Sequence, residues 1–556
     1  MGKRNAAELL TLYKKFLKIE NHRLRLKHYA GGGGREIAQQ RQLEFSPELQ
    51  TLIRRRLPMV DRTYCYARSA RETFAAILSR KGEVGRILRM MHECDFLGRY
   101  LPEFGALTCL VQHEFFHRYT ADEHTLVCIE KLDQLIDTQV PRLQGYRDLF
   151  QKLEDPFVLY LSLILHDTGK ASNARYHAEA SATFANRVAA RLQLRPEQRK
   201  TLIFLVDNHL VLSSTAQRRN LEDPATISEF AGVVRTQTNL DALMLLTLVD
   251  GMGIGDDTWS DWKESLVWQL YLTTTHFFTD SDAFFRQRAF EREGTRAAVL
   301  KKLPEDFAEE VEGHFLFMPN AYFQAFDGNA IAAHIRLFRK FFASQLTGNA
   351  GLVPAVRWVA HPERGHSELW VCTWDRKHLL AKIAGSLAAA QLNILSADIF
   401  TRGDSIVLDI FRVCDTDFQA VKDVADIALV EKILAEALAG DDFDFAPVLE
   451  KAKVRRPSHL LQEMEFPTRI SIDNDTHPVY TLIDIQTPDR LGLLYHLLKG
   501  LGEAGVNIAL SRIATEKGAA IDSFYVTGPD GRKVKDGAGV LRLQKLLQKV
   551  AERGGM

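Results

Sequence analysis

Leu161-Ser162-Leu163-Ile164-Leu165-His166-Asp167-Thr168-Gly169-Lys170 runs from an apolar stretch into two polar side chains and a glycine, and its reading decides the fold of the N-terminal half. An ionised carboxylate at the end of a buried helix costs several kcal/mol unless it is paired or bound to a metal. Asp167 therefore calls for a cation. Successive helical residues point about 100° apart, so His166 and Asp167 reach one ion most easily near a helix end, which Gly169 supplies. Lys170 lies just past that break, either as charge beside the site or as a solvated helix-end lysine.

Working outward, the apolar runs Phe157–Leu161, Leu202–Val206 and Leu243–Val249 sit in longer helical contexts, and nearly every segment from Pro58 to Phe278 reads as helix. A connecting helical stretch follows from Ser281 to Leu346. Residues 1–57 also read as helical, with Leu9, Leu12, Phe16 and Ile19 at helical spacing. Gly31–Gly34 interrupts them, lacks the Lys-Ser/Thr ending of a phosphate-binding loop, and reads as a flexible joint. His124, His177, His209 and Asp250 fall on or beside successive helices. Singly, each histidine reads equally as a satisfied core residue and Asp250 as a helix cap. Together with His166 and Asp167 they suit a mixed nitrogen and oxygen site for a hard or borderline divalent ion.

After Val353 alternating segments such as Leu369–Thr373 and Ser405–Ile410 read as strands. The order strand, helix, strand, strand, helix occurs over Glu368–Leu438 and again over Thr481–Val550, which predicts two ferredoxin-like βαββαβ modules in tandem. The fold class is thus α+β and multidomain, divided as 1–57, a helical domain with connecting helices at 58–346, a first module at 366–447 and a second at 470–556. Composition fits: 46% of the 556 residues are hydrophobic and 26% charged, with no run long enough for a membrane span. Lys plus Arg and Asp plus Glu balance at 71 each, so no global field draws the chain to nucleic acid or acidic membranes. The six scattered cysteines read as reduced thiols, and with no export signal in view the expected location is cytoplasmic.

The ordered set His124, His166-Asp167 and Asp250 resembles the signature of the HD superfamily of metal-dependent phosphohydrolases, and His177 and His209 resemble the extra ligands of its binuclear members. Around it, Leu97–Phe104, Tyr119–Leu126, Asn208-His209-Leu210, Ser214–Arg219 and Trp259–Lys263 are similar to the PII uridylyltransferase/uridylyl-removing enzyme family. The resemblance implies an HD domain that removes UMP from the PII signalling protein and two ACT domains that sense glutamine. It implies one or two divalent ions, Mg²⁺, Mn²⁺ or Fe, held by His124, His166, Asp167, His177, His209 and Asp250 to activate water and neutralise phosphoryl charge. Asp167 and Lys170 are the expected catalytic residues. Arg218 and Arg219 are candidates for substrate contact, with solvated surface as the other reading.

In the two modules the resemblance rests on Asp375-Arg376 and on Asp489-Arg490-Leu491-Gly492-Leu493-Leu494. Gly492 would let an effector carboxylate approach free N–H groups at a helix N-terminus, so Asp489 and Gly492 are the expected effector-binding residues. The first module carries His378 at the corresponding place. The family's nucleotidyltransferase motif, a Gly-Ser pair with paired aspartates, is not found, and the segment before Phe45 is short for that domain, so transferase activity is not expected. Two other readings stay open: an HD phosphohydrolase acting on a nucleotide, and a glutamine-responsive protein without catalysis.

Overall fold

The computed structural model describes residues 17–20, 23–26, 44–45, 47–110, 119–172, 177–254, 259–281, 292–346, 353–440, 443–455, 468–516, 519–535 and 537–552. The Gly31–Gly34 joint lies outside them. The chain divides into two compact units, residues up to Ser213 with Val234–Trp259, and Ser214–Val233 with Ser260 onward.

The first unit is helical from Pro47. Helix Pro156–Leu165 is its central element, with all ten residues buried. Helix Ala121–Gln134 is tied to helix Val84–Glu93 by Arg89, whose guanidinium binds Glu123 at 2.7 Å and also Glu130 on the same helix face. Helices His177–Leu192, Pro196–Asp207 and Gln237–Ile254 complete the packing. Of the segment before residue 47, expected to be helical, only 17–20, 23–26 and 44–45 are described, and these are strands. Leu17–Glu20 pairs antiparallel with Arg23–Leu26 instead, and Arg23-Leu24-Arg25-Leu26 alternates charged and apolar with the period of two that a strand requires.

The second unit holds an eight-stranded sheet, numbered here β1 Ala355–His361, β2 His366–Trp374, β3 Asn393–Thr401, β4 Ile406–Cys414, β5 Arg469–Asp473, β6 Thr481–Pro488, β7 Asn507–Glu516 and β8 Ala519–Thr527. The order is β1-β2-β4-β3-β7-β8-β6-β5 and every neighbour is antiparallel. Each half repeats strand, strand, helix, strand, strand, helix. This corrects the expected βαββαβ order: the fourth strand precedes each repeat rather than closing it. Helices Leu379–Ala389 and Val424–Ala439 cover one face of the first half. The other face takes Val299, Val311, Phe315, Phe338 and Phe341 against Trp370, Cys372 and Leu408. The described residues of 260–346 group with the sheet, although their helical pattern matched the first unit, and those from Val299 to Phe341 do so because their apolar faces are complementary to β2 and β4. Helices Leu493–Glu503 and Gly537–Glu552 cover the second half. Among the described residues no helix is long and apolar enough to cross a membrane.

Candidate metal centre

Four helix ends of the first unit bring His124, His166, Asp167, His209 and Asp250 together. Helix Pro156–Leu165 stops before the glycine: His166 caps it and Asp167 leaves the helical region at φ −106°, ψ 4°. The turn Thr168–Ala171 that follows carries Lys170 back over Asp167, with Nζ 2.7 Å from Oδ2. Thr168 and Ser181 secure this corner, the first by donating to the Leu165 carbonyl at 2.8 Å and the second by accepting the Gly169 N–H at 2.8 Å.

Each of the three histidines is oriented in the same way. The Nδ1 atoms of His124, His166 and His209 lie 3.2, 2.7 and 2.8 Å from the carbonyls of Gly253, Leu163 and Val206. A carbonyl only accepts, so each Nδ1 carries the proton and each Nε2 presents a lone pair. Those lone pairs face carboxylates. His124 Nε2 is 3.0 Å from Asp250 Oδ1, and His166 Nε2 is 3.3 Å from Asp167 Oδ2 and 3.6 Å from Asp250 Oδ1. His209 Nε2 stands 4.0 Å from Asp167 Oδ1. All three rings are at most 2% exposed, and among the described residues His166 Nε2 has no partner in good hydrogen-bond geometry, only these nearby carboxylates.

Acceptors facing acceptors in a buried space repel unless positive charge lies between them. Lys170 supplies one unit against the two of Asp167 and Asp250, so at least one more is wanted. Without an ion a proton fills the role. Burial opposes charge on His166, but Asp167 and Asp250 outweigh it and push the imidazole up to about 10. Burial and the neighbouring His166 push His209 down to about 4. Although burial works against ionisation, Lys170 and His166 hold Asp167, and His124 and His166 hold Asp250, well below the usual carboxylate range. Ligand atoms of His124, His166 and Asp250 all lie within 4.8 Å of one another. This donor set fits a divalent ion: neutral imidazoles with fixed tautomers, ionised carboxylates and a charge deficit.

Not every expected residue joins the group. His177 opens helix His177–Leu192, and its side chain lies outside the described residues. Arg219 falls in the second unit, where Asp484 takes its guanidinium in two bonds of 3.1 and 3.2 Å. Arg218 ends the helix Val211–Arg218. Sequence reading missed Cys128 and Gly253, which pack against His124: Cys128 Sγ is 3.6 Å from its Nε2, and Gly253 gives the orienting carbonyl. The Gly-Met-Gly following Asp250 was the available signal, since a bare backbone there lets one helix approach another.

In the sheet the Asp-Arg pairs have a structural use. Arg376 donates to the Leu438 carbonyl at 2.6 Å and Arg490 to the Ala551 and Val550 carbonyls at 2.8 and 2.9 Å, so each ties down the C-terminal end of its repeat's second helix. Gly492 has φ 80° and His378 takes the same left-handed conformation at φ 59°. The close approach foreseen at Gly492 is made by Leu449, whose Cδ1 would stand 2.9 Å from an added Cβ. A cavity of about 1930 Å³ in the second unit is lined instead by Asp375, Arg376, His378 and Asp409 of the first repeat.

Residues 36–100 match the family described as the uridylyltransferase GlnD third domain, and residues 469–552 match an ACR9-like, ACT-like domain. A bifunctional uridylyltransferase/uridylyl-removing enzyme of Rhodospirillum rubrum is 33% identical over 521 residues, covering 92% of this chain and 54% of the relative. The chain is homologous to these bifunctional enzymes. Counterparts from Cereibacter sphaeroides and Azospirillum brasilense are each 30% identical, over 91% and 89% of this chain and 53% and 52% of theirs. The chain thus spans about half the length of the curated relatives it matches.

Proposed function

We propose that the first unit is an HD-type, metal-dependent phosphodiesterase that removes UMP from uridylylated PII protein. The observation that carries this reading is the convergence of three Nε2 lone pairs and two carboxylates with a charge deficit, in a homologue of uridylyl-removing enzymes. His124, His166, Asp167, His209 and Asp250 would hold the ion, with His177 as a further candidate. A divalent ion there lowers the cost of negative charge on the reacting phosphoryl group and makes water a better nucleophile.

The protein's own groups do the rest. The backbone carbonyls of Gly253, Leu163 and Val206 keep three imidazoles aimed before substrate arrives, so no reorganisation is needed during reaction. Lys170, fixed by Asp167, adds positive charge at the edge of the site, since its side chain is 12% exposed and reaches the surface. Burial of the ligands excludes bulk water and keeps these interactions strong. Arg218 remains a candidate for substrate contact.

In the same reading the second unit carries two ACT repeats that sense glutamine. The cavity lined by Asp375, Arg376, His378 and Asp409 is the place we assign to that effector, because it sets charged groups beside open space, while Leu449 packs close to Gly492. The test is hydrolysis of uridylylated PII by the Mn²⁺-loaded chain, with and without glutamine, beside a panel of free nucleotides. UMP release from PII that depends on metal and rises with glutamine is expected. Hydrolysis of nucleotides alone would overturn the substrate, and no hydrolysis with any metal would overturn the catalytic reading.

A further inference from the structure

The hairpin His361-Pro362-Glu363-Arg364-Gly365-His366 joins β1 to β2 and sets His361 directly opposite His366. Side chains two residues apart on a strand share a face, so Glu368 lies on that face as well. The two imidazoles stack with centroids 5.0 Å apart and planes at 28°. His361 Nε2 is 3.9 Å from Glu368 Oε2, and one ligand atom from each of the three residues lies within 4.8 Å of the other two.

Outer partners aim these groups much as they do in the first unit. His366 Nδ1 donates to the Arg364 carbonyl at 3.3 Å, and His361 Nδ1 faces Glu363 Oε1 at 3.6 Å, which leaves Nε2 as the free nitrogen of each ring. Glu368 is held by the Trp370 indole N–H at 2.8 Å and by Arg412 Nε at 3.3 Å. Arg412 also pairs with Asp398, through Nη1 at 2.6 Å, so its charge is shared between two carboxylates. His366 is 2% exposed, and burial favours its neutral, ligating form. Trp262 closes one side, its ring 4.7 Å from that of His366. His361, His366 and Glu368 all line the cavity of about 1930 Å³, which gives a hydrated ion a way in.

We propose that His361, His366 and Glu368 form a second metal site, for Zn²⁺ or another borderline divalent ion. Two imidazoles and one carboxylate select such ions over Mg²⁺ and Ca²⁺, which prefer all-oxygen shells. Bonds near 2.0–2.1 Å in a tetrahedron put ligand atoms about 3.4 Å apart. Side-chain rotation within the open cavity closes the difference from the spacing seen here. The site is independent of the hydrolytic reading, since its ligands belong to β1 and β2 and none of them serves the first centre.

The test strips the full chain with chelator, reloads it with Zn²⁺ or Co²⁺, and counts bound metal after desalting. His361→Gln is the principal variant, Glu368→Gln the second, and Asp250→Asn the comparison for the first centre. His361→Gln and Glu368→Gln should each hold one zinc fewer per chain, or bind it at least about tenfold more weakly, and lose one component of the Co²⁺ absorption spectrum. Asp250→Asn should keep that component. A folded His361→Gln or Glu368→Gln chain with undiminished zinc and an unchanged Co²⁺ spectrum would overturn the proposal. So would a chain whose only zinc disappears in Asp250→Asn.

Discussion

Gly253→Ala puts the geometry of the first centre to a direct test. A Cβ at this position would stand 2.3 Å from Cys128 Sγ and 3.2 and 3.3 Å from His124 Cε1 and Nδ1. Relaxed contacts lie near about 3.5–4.0 Å, so the helices must part or the Cys128 thiol must move by more than an ångström, and the imidazole by a few tenths. Overpacking of this kind costs about 1–3 kcal/mol of stability. The activity loss should be larger. His124 stands 3.0 Å from Asp250, its Nδ1 is aimed by the Gly253 carbonyl itself, and a misplacement of about 1 Å costs on the order of 10²-fold in rate. Cys128→Ala removes the worst of the overlap and leaves only the milder contact with the ring. The double variant should therefore recover most of the lost rate, although Cys128→Ala alone opens a small void. Metal-dependent hydrolysis of a chromogenic phosphodiester and urea midpoints, measured on all four members of the cycle, give the coupling. Full activity in Gly253→Ala, or strictly additive effects, would refute the placement of His124 between these residues.

Other outcomes follow from the same coordinates. Lys170→Met should lower kcat by about 10²–10³-fold while the protein still binds metal, because the ammonium 2.7 Å from Asp167 is lost; an unchanged kcat would remove Lys170 from the site. Arg219→Ala should weaken the second unit in thermal melts through loss of the Asp484 pair without changing hydrolysis of a small phosphodiester, and a selective loss of that hydrolysis would return Arg219 to substrate contact. Burial, outweighing hydrogen bonds from Tyr160 and Gly85, pushes Asp133 up to about 6. The unfolded carboxyl titrates near about 3.9, so the folded chain binds this proton more tightly, and stability falls by about 3 kcal/mol as pH rises from about 4 to about 6. Asp133→Asn should flatten that slope in urea midpoints, and a slope unaltered by the change contradicts the assignment. Mn²⁺ at a hundredfold excess over its dissociation constant should stabilise the first unit by about 2.7 kcal/mol, whereas Asp250→Asn should abolish the gain.

His166-Asp167 was legible because it ends an apolar helix, where burying a carboxylate without a partner is costly, whereas His124, His209 and Asp250 read singly as core or cap residues and joined it through the resemblance to a family. The repeated strand, helix, strand, strand, helix order was legible for a similar reason, since periods of 2 and 3.6 differ over short windows. Contacts set by how elements cross were not. Nothing local announces that Gly253 meets Cys128, or that Leu449 covers Gly492, because both depend on separations of dozens of residues or more. Residues 260–346 show a second limit: a helix's apolar stripe declares that it packs, not whether its partner is another helix or the strand holding Trp370. His378 shows a third, since the left-handed backbone it shares with Gly492 has no signal in a histidine. Arg219 was read as substrate contact or solvated surface, and nothing local announced its ion pair with Asp484, 265 positions away.

The seam between β3 and β7 has a practical meaning for anyone dividing this protein. Leu510, Ser511 and Arg512 pair with Asp398, Ala397 and Ser396, so the repeats share one hydrogen-bonded ladder rather than merely touching. Cutting along it would bare two inner strand edges, the templates on which chains associate with one another. It would also strand Arg512, 7% exposed, away from the carboxylate of Asp398 that compensates its burial. Either repeat expressed alone would start life as a sticky half-sheet.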